Sequence, residues 1–237
     1  MHSSALLNLD NFFSIYLKNF ANPKILDFGS RSLSNHIGAK VLLKKMNIKH
    51  EYTGVDIEKG NNVDILLKDP YSFKEIPDSS YDVIISTSVF EHVEFFWLTY
   101  LEILRILKPN GILYINVPSN GNFHRWPKDC WRFYPDSSNA LINWAKRNKF
   151  NPILLESFVS NQYLECGWND YVSITLKDKS YINNFNEKII YTYKKFKNGI
   201  DHNDKLYNFS YKSEDHRNWG FRLWYRVRKK IDKLKRS

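Results

Sequence analysis

The chain has 237 residues, enough for one domain of generous size with appendages but not for two complete domains. With 43% hydrophobic and 25% charged residues it has globular proportions, which excludes wholesale disorder and collagen-like chains, and its two cysteines are too few for a disulfide framework or a cysteine-based zinc site. The net charge of +10 raises nucleic acid or an anionic membrane as partners, yet +7 of it lies between Trp219 and Ser237, where eight Lys and Arg stand against Asp232 alone.

Along residues 5–20, Leu6, Leu9, Phe13, Tyr16, Leu17 and Phe20 recur at helical spacing and predict an opening helix, so that residues 1–22 read as a helical lid or flank. Asn8, Asp10, Asn11, Lys18 and Asn19 interrupt it, unlike a signal peptide, and no segment approaches the roughly 20 apolar residues that cross a bilayer. A cytoplasmic protein, at most peripheral to the inner face of a membrane, is expected. From Lys24 the pattern changes. Lys24-Ile25-Leu26-Asp27-Phe28-Gly29 reads as a buried parallel strand ending in an acid and a glycine, followed by a helix near residues 34–45. Strands are then expected at Glu51–Ile57, near Asn62–Asp69, at Tyr81–Thr87 and at Ile112–Val117. A helix over Phe95–Leu107 is closed by Lys108-Pro109-Asn110-Gly111. A polar, aromatic loop, a helix near Asp136–Asn148 and strands at Ile153–Ser160 and Tyr171–Leu176 complete a core spanning residues 23–177.

Residues 178–218 are rich in Lys, Asn and Tyr without a clear period and read as an irregular appendage. Beyond them Trp219, Leu223, Trp224, Val227, Ile231 and Leu234 recur every three or four residues, which predicts an amphipathic helix with a basic face. That helix either docks on the body or lies on an anionic membrane, and it makes residues 178–237 a basic, aromatic appendage. Nucleic acid is a weaker partner, because no aromatic-rich single-strand motif accompanies the charge.

Strands alternating with helices predict an α/β fold, a mainly parallel seven-stranded sheet with helices on both faces and a ligand site at the carboxyl ends of the strands. Asp27, Asp56 and Asp69 fall at those ends. The loop Gly29-Ser30-Arg31-Ser32-Leu33 has one glycine, which argues against a dinucleotide and its pyrophosphate. A cofactor without phosphates asks less: a tight turn beneath it and, on the next strand, an acid such as Asp56 to hold two ribose hydroxyls. Metal dependence is not expected, since no His/Asp spacing reads as a site.

Five segments occur in order over residues 24–118: Ile25-Leu26-Asp27-Phe28-Gly29, Gly54-Val55-Asp56-Ile57, Tyr81-Asp82-Val83-Ile84-Ile85-Ser86, Val89-Phe90-Glu91-His92-Val93, and Ile103 to Gly111 with its Leu-Lys-Pro-Asn-Gly ending. Together they resemble the class I S-adenosylmethionine-dependent methyltransferases, Rossmann-like enzymes. The segment His124-Arg125-Trp126-Pro127-Lys128-Asp129-Cys130-Trp131-Arg132-Phe133-Tyr134-Pro135 resembles one found in methyltransferases of bacterial surface-glycan clusters, and Trp168-Asn169-Asp170 is similar too. The resemblance implies S-adenosylmethionine as cofactor, with Gly29 and Ser30 beside its methionine part and Asp27 below its ammonium. Asp56 would bind the ribose hydroxyls, Ile57 would lie against the adenine and Asp69 would reach its amine, with Ser86 also among the contacts. Arg31 would crowd the cofactor or position its carboxylate.

For a neutral acceptor hydroxyl, a base is needed beside the activated methyl group, and imidazole suits the work. His92 or His124 would take the proton, with Asp129 and Arg132 binding or orienting the acceptor and Trp126 and Trp131 stacking on a sugar face; Glu91 reads as structural. The implied acceptor is a hydroxyl of a sugar, nucleotide sugar or glycan in capsule or lipopolysaccharide assembly. Methylation of a small metabolite, or of an amine, amide or phosphoryl-linked group on a glycan, stays open, as do an RNA methyltransferase and a non-catalytic cofactor-binding partner.

Overall fold

The computed structural model describes residues 2–32, 38–161, 167–212 and 227. In chain order these form α1 (Ser3–Tyr16), β1 (Lys24–Phe28), α2 (Ala39–Lys45), β2 (Glu51–Asp56), β3 (Ile65–Leu66), β4 (Tyr81–Thr87), α3 (Phe96–Ile106), β5 (Leu107–Pro118), α4 (Ser137–Arg147), β6 (Ile153–Ser160), β7 (Asp170–Leu176), α5 (Ile189–Thr192), β8 (Phe196–Asp201) and β9 (Leu206–Tyr207). Residues 34–37 of the helix expected near residues 34–45, the basic helix expected at 219–237 apart from residue 227, and Cys166 lie outside the described residues.

One sheet carries the order β3-β2-β1-β4-β5-β7-β6-β8-β9. The pairs from β3 through β5 are parallel, whereas β7 is antiparallel to both β5 and β6. The sheet therefore has nine strands, not the seven expected. The two extra strands, β8 and β9, come from the stretch that reads as an irregular appendage, and they extend the edge beyond β6 in antiparallel pairing. Their sequence hides them because β9 is two residues long and Asn198 and Gly199 interrupt β8, while Asp201 accepts from the backbone N–H of Asn203 and Lys205 to turn the chain.

Apolar runs appear in the strands because both faces are covered, and alternate side chains go to opposite sides. Ile25, Val83, Ile85, Ile112 and Tyr114 meet α1 on one face. Leu26, Phe28, Ile84, Leu113 and Ile115 meet Tyr100, Ile103 and Leu104 of α3 on the other. The opening helix is thus no lid. Leu9, Phe12, Phe13 and Tyr16 of α1 are buried, the Phe12 ring lies 4.6 Å from that of Tyr114, and the Tyr16 hydroxyl donates to Glu156 at 2.6 Å. At roughly 2 kcal/mol for each large apolar side chain fully buried, α1 is a main contributor to the core. The Lys108-Pro109-Asn110-Gly111 turn sits within β5 as a bulge, since Tyr81 pairs with Leu107 and Val83 with Ile112. Lys108 Nζ donates to Asp82 at 2.8 Å and fastens the bulge to β4.

Candidate active site

A cavity of about 630 Å³ opens at the carboxyl ends of β1, β2 and β4, where a parallel sheet presents its loops. Its lining takes Asp27, Gly29 and Asp56 from the β1–β2 side and Thr87, Ser88 and His92 from the end of β4 and the loop after it. Gly29 carries φ +83°, a left-handed conformation, and a Cβ there would lie 2.2 Å from Val89 Cγ2; the turn admits glycine alone. Gly54 is similarly constrained, because a Cβ would reach within 1.7 Å of the Asn62 carbonyl oxygen.

The turn after β1 is tied to β2 and its loop. Gly29 and Ser30 both donate their N–H groups to the Val55 carbonyl, Arg31 N–H donates to Asp56 Oδ2 at 3.1 Å, and Ser32 N–H donates to the Asn61 carbonyl. The other Asp56 oxygen accepts from the N–H of Glu58 at 3.1 Å. These bonds fix the carboxylate, and each oxygen keeps a lone pair for a further donor. Ile57 follows on the lip, half exposed. Arg31 forms an ion pair with Glu58 across Gly60, so its guanidinium is engaged at the rim and not held ready for a cofactor carboxylate.

Asp27 accepts from the Tyr52 hydroxyl at 2.6 Å. Burial pushes its carboxyl up to about 6, against the lowering effect of that hydrogen bond, and the nearby Asp56 adds to the rise. An acid in this setting gains from a cationic ligand. Lys40 Nζ lies 5.4 Å from the centre of the Tyr52 ring and also lines the cavity, the one cation there that pairs with no acid in the structure described.

Two of the expected cofactor contacts fall outside this cavity. Asp69 accepts from the N–H of Tyr71 at 2.8 Å and shapes a turn that presents Pro70 and Tyr71 to the cavity in its place. Ser86 is fully buried within β4, and Thr87 and Ser88 reach the lining instead.

At the opposite end His92 lines the cavity. Its Nδ1 meets the Lys128 carbonyl, an acceptor only, so Nδ1 carries the proton and Nε2 keeps a lone pair. Burial lowers its pKa, outweighing the hydrogen bond to Lys128, and the ring is neutral. His124 stands behind it, the two rings edge to face at 5.2 Å, and is stacked on Trp168 at 5.6 Å. Neither His124 nor Asp129 lines the cavity. Asp129 accepts from both guanidinium nitrogens of Arg132, at 2.5 and 2.8 Å, and from the His124 N–H at 2.7 Å. The Arg132 hydrogen bonds hold its carboxyl down to about 2. Asp129 and Arg132 therefore lock the loop that carries His124 and do not face an acceptor. Trp131 is likewise an anchor: its Nε1–H donates to the carbonyls of Val93 and Glu94, and its ring packs edge-on to Phe96. Trp126 alone of the two expected tryptophans lines the cavity, with its ring mostly exposed.

Three groups at this end carry no role in the sequence reading. Glu91 is fully buried, neither carboxylate oxygen has a hydrogen-bond partner, and burial pushes its carboxyl up to about 8. Trp168 donates through Nε1 to His2 Nε2, and buried Asp170 accepts from Ser4 and lies 3.2 Å from His2. The start of α1 is in this way wired to the loop of His124. The Trp168-Asn169-Asp170 triplet is visible in the sequence as a resemblance, but only folding shows what it touches.

Residues 36–115 match the family model described as a methyltransferase domain. The matched stretch begins after the Gly29 turn and ends within β5, before the loop of His124. A search of curated proteins found no match. Solved structures similar to this chain include the 1,6-didemethyltoxoflavin-N1-methyltransferase of Burkholderia thailandensis, solved with 1,6-didemethyltoxoflavin and S-adenosylhomocysteine bound (15% identity, TM-score 0.54, 74% of this chain and 79% of that one). Two others are the YcgJ protein of Bacillus subtilis (12% identity, TM-score 0.50, 75% and 100%) and the [4+2]-cyclase SpnF (14%, 0.50, 71% and 81%). The fold is that of a class I methyltransferase. The domain match indicates S-adenosylmethionine as the methyl donor, and the Gly29 turn, Asp27 and Asp56 fit it. Among the described residues no helix is long and apolar enough to cross a membrane.

Proposed function

We propose that the chain is an S-adenosylmethionine-dependent methyltransferase acting on a hydroxyl of a sugar, nucleotide sugar or glycan in surface polysaccharide assembly. The observation that carries the reaction class is the single cavity with Asp27 and Asp56 at one end and a neutral imidazole, His92, at the other. When bound, the cofactor supplies a methyl group already activated on a sulfonium. The chain's own work is then to hold both ligands and to receive a proton. Asp56 orients the ribose hydroxyls, and Asp27, half-buried in the lining of the cavity, holds a positive group beside the Gly29 turn. His92 Nε2 offers the lone pair that takes the acceptor's proton, with His124 behind it in a loop stiffened by Asp129 and Arg132. The exposed face of Trp126 supports a sugar acceptor, since aromatic faces cover the apolar side of a pyranose. The resemblance of the loop His124–Pro135 to those of surface-glycan enzymes supports it further. A contact of residues 219–237 with the membrane that bears a lipid-linked acceptor belongs to the same reading.

A second acceptor class, a small metabolite, has the Burkholderia neighbour in its favour, an enzyme named for methylation of a small heterocycle. The fold does not decide between them, and the cyclase among its neighbours shows that it hosts other reactions. The test is a methyl-transfer assay against nucleotide sugars, glycan extracts and small metabolites, with His92→Ala as control. Turnover of a sugar hydroxyl that the variant lacks, with cofactor binding kept, supports the reading. Turnover confined to small metabolites, or unchanged in His92→Ala, overturns it.

A further inference from the structure

We propose that Glu91, His92 and His124 form a binding site for one divalent transition-metal ion beside the cavity. Each offers one ligand atom, and the three atoms lie within 4.8 Å of one another. Glu91 points to the cation independently of that clustering. It is fully buried, and neither oxygen has a hydrogen-bond partner, an arrangement that leaves the group either protonated and unpaired or ionised against a cation, and a bound cation satisfies both oxygens where a proton does not. Arg132 is the nearby cation, but its two terminal nitrogens meet Asp129, the Trp131 carbonyl, the Asn122 carbonyl and, at 3.5 Å, His124 Nδ1, and none of them reaches Glu91.

The imidazoles are already arranged as ligands. The Lys128 carbonyl fixes the proton of His92 on Nδ1, and the free Nε2 is the atom 3.7 Å from Glu91 Oε1. That separation is long for a hydrogen bond, yet two ligands on one ion with bonds of about 2.1 Å stand roughly 3 to 4 Å apart. His124 turns Nδ1 toward Asp129 Oδ2 at 3.5 Å and the Asn122 carbonyl at 3.3 Å, and Asp129 is itself held by Arg132. A carboxylate behind a histidine is the outer support that metal-bound imidazoles use. Two imidazoles and one carboxylate, with no thiolate, suit Mn(II), Fe(II), Co(II) or Zn(II) better than Mg(II) or Ca(II). Three protein ligands leave positions open, and His92 puts them next to the cavity. On the methyltransferase reading, and only there, an acceptor hydroxyl would occupy one of these positions, have its pKa lowered by the ion and release its proton to solvent water as the oxygen takes the methyl group, with His92 as ligand in place of base.

The test uses the full chain, purified without a histidine tag and stripped with a chelator, titrated with Mn(II) by electron paramagnetic resonance and with Co(II) by visible absorption. Calorimetric binding of S-adenosylhomocysteine, measured without metal, reports separately on the cofactor site. One ion per chain is expected, its affinity falling at least tenfold in Glu91→Gln and in His124→Gln, while S-adenosylhomocysteine binding and the melting temperature stay near those of the parent. Glu91→Gln keeps the shape of a buried side chain; should it fail to fold, His124→Gln, on a part-exposed loop, decides alone. A folded parent that takes up neither ion, or binds one equally well in both variants, overturns the site. Loss of S-adenosylhomocysteine binding in the parent, with metal binding intact, would instead overturn the methyltransferase reading.

Discussion

The two ends of the cavity are built in different ways. At the β1–β2 end, backbone groups of two adjacent strands and the turns that follow them do the positioning: a glycine turn donates to the next strand, and Asp56 is held by the N–H groups of Arg31 and Glu58. At the β4 end, His92 is set by a carbonyl 36 residues away, and His124 stacks on Trp168, which is joined to His2 at the other end of the chain. The first end depends on backbone geometry and the second on side chains from distant segments. Substitutions should therefore separate them, with losses of cofactor affinity at one end and losses of turnover or loop stability at the other.

The largest break is expected at Asp56. On the proposed reading Asp56 receives two ribose hydroxyls, so removing this fixed carboxylate should forfeit about 3 kcal/mol, or roughly 100-fold in affinity, and calorimetric titration of Asp56→Ala with S-adenosylhomocysteine should show it while the melting temperature hardly moves. At the other end, Asp129→Ala leaves the Arg132 guanidinium without its partner, and a loss of about 3 kcal/mol in urea unfolding is expected with cofactor affinity retained. Asp129→Ala combined with Arg132→Met should recover part of that loss, because the uncompensated charge goes with the arginine. No recovery would mean that Asp129 acts through its bond to the His124 backbone instead.

A subtler contrast is the response to pH at Asp27. Burial raises its carboxyl from 3.8 to about 6. The unfolded chain gives up this proton near pH 4 and the folded one near pH 6, so this group favours the folded state most below pH 4, and its contribution is lost as pH rises to about 6. Binding of a cationic ligand has the opposite sign, since it needs the carboxylate. Affinity for S-adenosylhomocysteine, whose ammonium is the cation, should weaken by up to tenfold per unit below about pH 6, and Asp27→Asn should flatten that profile. A profile unchanged in the variant would remove Asp27 from the cofactor site. The smallest effect is expected at Arg31, paired with an exposed Glu58 at the rim: Arg31→Ala should change cofactor affinity less than about threefold, as befits an exposed ion pair. A hundredfold loss would instead make Arg31 the partner of the cofactor carboxylate.

The same contrast explains which residues could be read in advance. Asp27, Gly29 and Asp56 announce themselves because an apolar run ending in an acid or a glycine is a local pattern, and a parallel strand delivers its last residue to the ligand side. Asp69 carries the same local signal and Ser86 stands near the end of a strand, yet both are absent from the cavity lining: the turn at Asp69 engages its own side chain, and Ser86 falls on the residue before β4 opens to the ligand. A shift of one position in a strand changes the face, and sequence pattern does not resolve it. Glu91 reads as structural because burial and the absence of a partner are properties of the packed molecule. Asp129 with Arg132 shows the converse, since residues of catalytic type in a loop proved to be its clamp.

What the sequence determined by itself was the alternation of strands and helices from residue 24 to 118 and the placing of Asp27 and Asp56 toward the carboxyl ends of parallel strands. Each of these rests on a local pattern or on a periodicity set by burial on two faces. Only the tertiary structure decided that α1 belongs to the core, that residues 196–207 extend the sheet, and that Glu91, His92 and His124 converge. Those outcomes depend on which distant side chains fill the same space, a matter of packing that no local spacing encodes.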